Sequence, residues 1–221
     1  MLPKLHKIRY ELFFFSQIAI LFGSLIMPVE LFEDAVMPVL FLMNLLFGIL
    51  LISKKKRLAQ FFTILFLILL VIYGANFVKR SDNNVMSFIR FGIYFLFYII
   101  VSIEIVKQVL KTKSVSKNVI IGLMSGYISL GLIAFFVFVS IEIATPDSFE
   151  GLMIHGSAFS NKVDSLLYYS YITLLTIGYG DIVPITAIAQ KAAILVGVLG
   201  QFYIVIVTTL VIEKYIFYRR K

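Results

Sequence analysis

Long apolar runs, separated by short polar or basic loops, make up most of the chain, and their lengths decide what they can form. A helix needs about 20 mostly apolar residues to cross the ~30 Å hydrocarbon layer of a bilayer. Runs at residues 11–28, 35–53, 58–78, 86–109, 118–144 and 186–215 meet that length, and a briefer apolar stretch at 163–175 predicts a helix too short to span. The pattern predicts an all-α integral membrane protein of six transmembrane helices, with a short helix and a loop re-entering between spans five and six. The first run follows basic Lys4, Lys7 and Arg9 as a secretory leader would. It is longer than a leader core and no small-x-small site closes it, so it is expected as a transmembrane helix.

Composition narrows the class. Hydrophobic residues make up 61% of the 221 positions, too much apolar surface for a water-soluble fold to cover, so a lipid bilayer is the expected surrounding. There is no cysteine, which removes disulfides and thiolate metal sites. The net charge of +8 does not imply nucleic acid, because the basic residues sit in clusters between spans: Lys4, Lys7 and Arg9; Lys54, Lys55, Lys56 and Arg57; Lys107, Lys111, Lys113 and Lys117; Lys214, Arg219, Arg220 and Lys221. The opposite loops carry Glu30, Glu33, Asp34, Asp82, Asp147, Glu150, Asp164 and Asp181. By the positive-inside rule both termini are cytoplasmic and the protein lies in the cell membrane. His6 and His155 are far apart in sequence, and no nucleophile and base pair or metal-ligand cluster stands out, so neither enzyme activity nor a cofactor is expected.

One polar stretch, Thr173-Leu-Leu-Thr-Ile-Gly-Tyr-Gly-Asp181, lies between apolar segments. Gly178 and Gly180 can take positive φ at no steric cost, so alternating them with Ile177 and Tyr179 can turn successive carbonyls to one side. Rings of such oxygens from several chains can replace the hydration shell of a monovalent cation, with the Thr176 hydroxyl completing the innermost ring. One loop per chain makes a homo-oligomer with an axis down the pore the symmetric solution. The negative end of the 163–175 helix dipole would favour a cation before it enters the loop. Ile204, Thr208 and Ile212, spaced by four from Gly200, share a helix face and would line a cavity, with Ile212 and Tyr215 as candidates for an inner gate.

The run from Thr173 to Asp181 resembles the selectivity-filter signature of potassium channels without a substitution. That resemblance implies passive conduction of K+ through a homotetramer, with the ion held at Thr176, Ile177, Gly178 and Tyr179, Gly180 closing the filter and Asp181 at the outer mouth. It implies that Thr173, Tyr168 and Tyr169 support the filter, the tyrosines as an aromatic cuff able to hydrogen-bond near Asp181. Ile172 stands where some members place a buried carboxylate, and Gly200 resembles the family's hinge glycine. Residues 114–221 would form the pore domain and residues 1–113 a four-helix peripheral domain in the position of a sensor. Span four carries only Arg90 before Lys107, where voltage-sensing members repeat basic residues, so steep voltage gating is not expected. With six residues after Tyr215, no cytoplasmic ligand-binding domain is expected. The rivals are a non-selective cation channel, a potassium-uptake transporter, whose chains repeat the loop several times, and a regulatory subunit.

In the first four spans, Gln17 and Asn44 are expected to make interhelical hydrogen bonds. Glu104 is expected to pair with Lys107 three residues on, and residues 105–117 to lie along the inner membrane surface. Gly122 and Gly126 are expected to let span five lie against span six.

Overall fold

The computed structural model describes residues 8–28, 31–79, 84–111, 116–152 and 160–219. Within these, helix α1 covers Arg9–Phe22 and tightens into a 3-10 turn at Gly23–Leu25. A π-helical segment at Phe32–Val36 runs directly into α2, Met37–Ile52, which has a proline near its start. Then follow α3 (Lys56–Lys79), α4 (Asn84–Lys111), α5 (Lys117–Ala144), a two-residue strand β1 (Phe149–Glu150), α6 (Ser160–Leu174), β2 (Val183–Pro184) and α7 (Ala187–Arg219).

Among the described residues, four segments, Lys56–Gly74, Phe88–Gln108, Lys117–Ala144 and Ala187–Glu213, are long and apolar enough to cross a membrane. At 14 and 16 residues α1 and α2 are shorter as regular α-helix, because a 3-10 turn and a π segment take up part of the apolar runs that the sequence read as spans. The architecture is helical as expected, with one addition. β1 and β2 pair antiparallel, Phe149 opposite Pro184 and Glu150 opposite Val183. Strands this short carry no sequence signal.

Two compact units divide the chain: Met1–Val109 with Ser116–Gly126, and Leu110–Val115 with Tyr127–Lys221. In the first, α1 packs on α2 and α2 on α3. Phe97 of α4 meets Phe13 of α1 edge-on at 6.5 Å and Phe62 of α3 at 5.4 Å. Asn44, fully buried, ties three helices together: its Nδ2 donates to the Phe13 carbonyl (3.1 Å) and Ser16 Oγ (2.8 Å), and its Oδ1 accepts from the Tyr98 hydroxyl (2.7 Å). In an apolar surrounding each such bond contributes ~0.6 kcal/mol and fixes register.

In this unit the expected Glu104–Lys107 pair is present but joined by a nearer partner, and the expectation for Gly122 is corrected. Glu104, buried, pairs first with Lys55 at 2.5 Å, while Lys107 stands at 3.9 Å; the α2–α3 turn carries Lys55 to the carboxylate, whereas the lysine one turn on reaches outward. Gly122 faces the Tyr10 ring of α1 and Ile105 of α4 rather than the last helix, so its missing side chain makes room within the first unit.

Candidate functional site

Helix α6 is the platform of the second unit, and aromatic side chains set its position. Tyr169 packs between Phe138 of α5 (5.0 Å between centroids) and Phe149 of β1 (5.4 Å), and these two phenylalanines touch each other at 5.4 Å. Two residues on, the Tyr171 hydroxyl donates to the Ile128 carbonyl at 2.7 Å, and its ring fills the space over Gly131 where any Cβ would collide. At the end of α6, the Leu174 carbonyl lies 2.5 Å from where a Cβ on Gly200 of α7 would stand, and it accepts a 3.4 Å bond from the Tyr127 hydroxyl. A glycine at 200 is therefore what lets α7 approach α6 this closely.

The loop after α6 turns its amides back on the helix. Leu175 N donates to Tyr171 O (2.8 Å), Thr176 N to Thr173 O (3.0 Å), and both Ile177 N (2.9 Å) and Gly178 N (3.4 Å) to Ile172 O. These bonds satisfy the carbonyls that a helix end leaves unpaired, so part of the negative end of the α6 dipole is taken up by the loop. In a trans peptide the C=O points opposite to the N–H, and no peptide here is cis. With amides 176, 177 and 178 directed at α6, the carbonyls of Leu175, Thr176 and Ile177 point away from it. Backbone handedness sustains the pattern: φ is +57° at Thr176, +57° at Gly178 and +82° at Gly180, alternating with Ile177 and Tyr179. The two glycines were legible in the sequence. Thr176 was not, because a β-branched residue rarely takes that conformation.

At the far end of the loop, the Tyr168 hydroxyl donates to Asp181 Oδ2 at 2.7 Å, and Asp181 Oδ1 accepts from the Ile182 amide at 3.1 Å. The hydrogen bond to the carboxylate pushes the Tyr168 hydroxyl up to about 12, so it remains a donor. The adjacent Tyr169 points elsewhere, into the aromatic cluster, with its side chain hydrogen-bonded to Thr173.

Sequence reading missed Glu142, near the C-terminal end of α5. Its carboxylate is buried; Oε1 accepts from the Asp147 amide (3.1 Å) and Lys162 Nζ (2.9 Å), and Oε2 from the Ser148 amide (3.0 Å). Lys162, in the first turn of α6, is raised above the ordinary lysine value, chiefly by its hydrogen bond to Glu142. The Ser148 carbonyl in turn accepts from Ile185 N at 2.9 Å, just beyond β2. A chain of contacts thus runs from α5 through the 145–148 turn to the segment that follows Asp181. The signal was an acid, Glu142, inside an otherwise apolar run, with a lysine twenty positions on.

On α7, which continues as helix through Gly200, Ile204, Thr208 and Ile212 are exposed, and the Thr208 hydroxyl donates to the Ile204 carbonyl of its own helix at 2.7 Å. Gln201 reaches the loop: its Nε2 donates to Thr176 Oγ1 at 3.3 Å. The Tyr215 side chain and His155 lie outside the described residues. No cluster of three or more metal-ligating side chains occurs among the described residues.

The second unit thus sets a short helix between two long apolar ones, ending in a loop whose carbonyls turn away from that helix. Residues 127–216 match the family model described as "Ion channel", which takes in most of α5, all of α6, the 175–185 loop and α7 as far as Ile216. This segment is similar to that family and supports an ion channel that transports ions across a membrane. No curated protein and no solved structure matches the chain.

Proposed function

We propose that the protein is a potassium-selective channel, a homotetramer that passes K+ down its gradient through a filter formed by Thr176, Ile177, Gly178, Tyr179 and Gly180. The observation that carries this reading is the alternation of left-handed backbone at Thr176, Gly178 and Gly180 with the loop amides bonded to α6. It supplies outward carbonyls at a site whose sequence resembles the potassium-channel signature. One chain supplies one strand of oxygens, so the ring requires several copies, and four is the number the resemblance implies. The α7 surface supports assembly: only 11% of its apolar window is buried within one chain, and exposed Ile194, Leu195, Phe202 and Val205 must meet lipid or further copies.

Six spans are part of the same reading. The π segment and α2 form one helical run of 5 and 16 residues. At 1.5 Å per residue that is about 31 Å, enough to cross the hydrocarbon layer. Both termini are then cytoplasmic in the cell membrane, residues 1–113 form a peripheral domain and residues 114–221 the pore. Asp181 concentrates cations at the outer mouth, held by Tyr168, while Thr173 and Tyr169 brace the filter from behind. Gly200 is the hinge, Ile204, Thr208 and Ile212 line the cavity, and Ile212 and Tyr215 form the gate. The test is current through particles whose copy number has been read by native mass spectrometry, with K+ on one side of a planar bilayer and Na+ on the other. Four copies and a reversal potential far towards K+ are expected; equal permeability for the two ions would refute the proposal.

The same channel is not steeply voltage-gated. Moving one charge through the whole field yields ~2.3 kcal/mol per 100 mV, and steep gating uses about 3 to 4 charges per subunit. Arg90, near the outer end of α4, lies over the rings of Tyr73 (5.4 Å) and Phe91 (5.2 Å), a partly buried, stacked position from which it crosses little of the field. A conductance–voltage curve in symmetric K+ without blockers should be shallow. A steep sigmoid that flattens in Arg90→Gln would contradict this.

A further inference from the structure

Thr176 needs more support than its glycine neighbours. A β-branched residue at φ +57° is strained, and such backbone persists only where its surroundings hold it. Two contacts hold it here: its amide donates to Thr173 O at 3.0 Å, and its hydroxyl oxygen accepts from Gln201 Nε2 at 3.3 Å. A hydroxyl has one proton and two lone pairs, whereas a glutamine amide nitrogen only donates. The Gln201 bond therefore occupies one Thr176 lone pair, confines the proton and the second lone pair to the two remaining positions, and brings the positive end of an N–H dipole beside them.

Resting on the channel reading above, we propose that Gln201 is a positioning residue for the cation site at the cavity end of the filter. It orients the Thr176 hydroxyl towards the ion and, by the sign of its dipole, limits how tightly that site holds a cation, so that the ion passes on. Gly200 makes this reach possible: because α7 closes onto the Leu174 carbonyl at that glycine, the next side chain arrives at the start of the loop. Four copies place four such amides around one axis.

Ba2+, close to K+ in size with twice its charge, is the probe. Removing the amide donor in Gln201→Met, which keeps the length of the side chain, frees a lone pair and withdraws the positive dipole. Gln201→Glu replaces the donor by a carboxylate and reverses the local charge. With a hydrogen bond contributing about a factor of five to an equilibrium, block by cytoplasmic-side Ba2+ should tighten at least about fivefold in Gln201→Met and further in Gln201→Glu. Block within about twofold of the natural channel in both variants overturns the proposal, since a purely structural glutamine would alter yield or melting temperature without moving the block constant. Should the variants carry no current, the rise in melting temperature that Ba2+ produces in the purified protein reads the same site. A larger rise in Gln201→Glu than in the natural protein supports the proposal, and an equal rise overturns it. The two readings separate cleanly: loss of K+ over Na+ selectivity in the unsubstituted channel refutes the potassium reading, whereas unchanged Ba2+ block in conducting, selective variants refutes only the role of Gln201.

Discussion

Gly178→Ala should abolish current while insertion and assembly continue. The reason is conformational rather than steric. A Cβ built on Gly178 meets nothing within 4 Å, but φ there is +57°, which costs an L-residue about 1–2 kcal/mol in each chain. The bond that resists relaxation is the weakest of the set, Gly178 N to Ile172 O at 3.4 Å. Rotating the peptide between Ile177 and Gly178 relieves the strain, and in the proposed filter the same rotation would turn the Ile177 carbonyl off the ion path and its partner amide onto it. A ring that presents N–H groups instead of oxygens repels a cation. Bilayer recordings of Gly178→Ala, alongside size-exclusion profiles matching the natural protein, make the measurement. Ordinary selective current in the variant would show that the assigned backbone geometry is wrong.

The second large effect is on stability. Glu142→Ala removes one buried carboxylate that accepts two backbone amides and a lysine. Hydrogen bonds to a charged group contribute roughly 1.5–3 kcal/mol each, so loss of the two amide bonds alone puts the expected cost at about 3 kcal/mol or more. Lys162→Met should cost much less, because the lysine is part exposed and the amides keep their acceptor. Thermal unfolding in detergent ranks the two; a smaller loss for Glu142→Ala than for Lys162→Met would refute the assignment. The pH dependence has a definite sign. Because the folded state raises the Lys162 pKa, the ion pair's contribution is fully present below the ordinary lysine value of 10.5 and fades only as pH rises through the elevated one.

How much of this was legible from residues alone varies with the kind of signal. Apolar run length gave the long helices, since twenty apolar residues in a row leave the backbone few alternatives. It failed at the ends of α1 and α2, where a 3-10 turn and a π segment use the same apolar composition with different hydrogen bonds. Gly178 and Gly180 announced positive φ, and the Tyr168 hydrogen bond to Asp181 followed from spacing and resemblance. Glu142, Tyr171 over Gly131, and Gln201 on Thr176 join positions far apart in the chain, and a single sequence records no such pairing. Glu104 shows the hazard of local spacing: the i, i+3 lysine was visible, and the nearer partner, Lys55, lay across a turn.

The two glycine-floored contacts on α6 also act as a clamp. Tyr171 is seated over Gly131 on α5, and the Leu174 carbonyl against Gly200 on α7, so α6 is held on both sides by contacts that leave no room for a Cβ. Any swing of α7 must then pivot at or below Gly200, which makes the rest of the helix a lever arm. At 1.5 Å per residue, Ile212 stands about 18 Å along that arm, and a tilt of only about 10° moves it by about 3 Å. In the proposed tetramer, a ring of four such arms would widen the opening at Ile212 by about twice that.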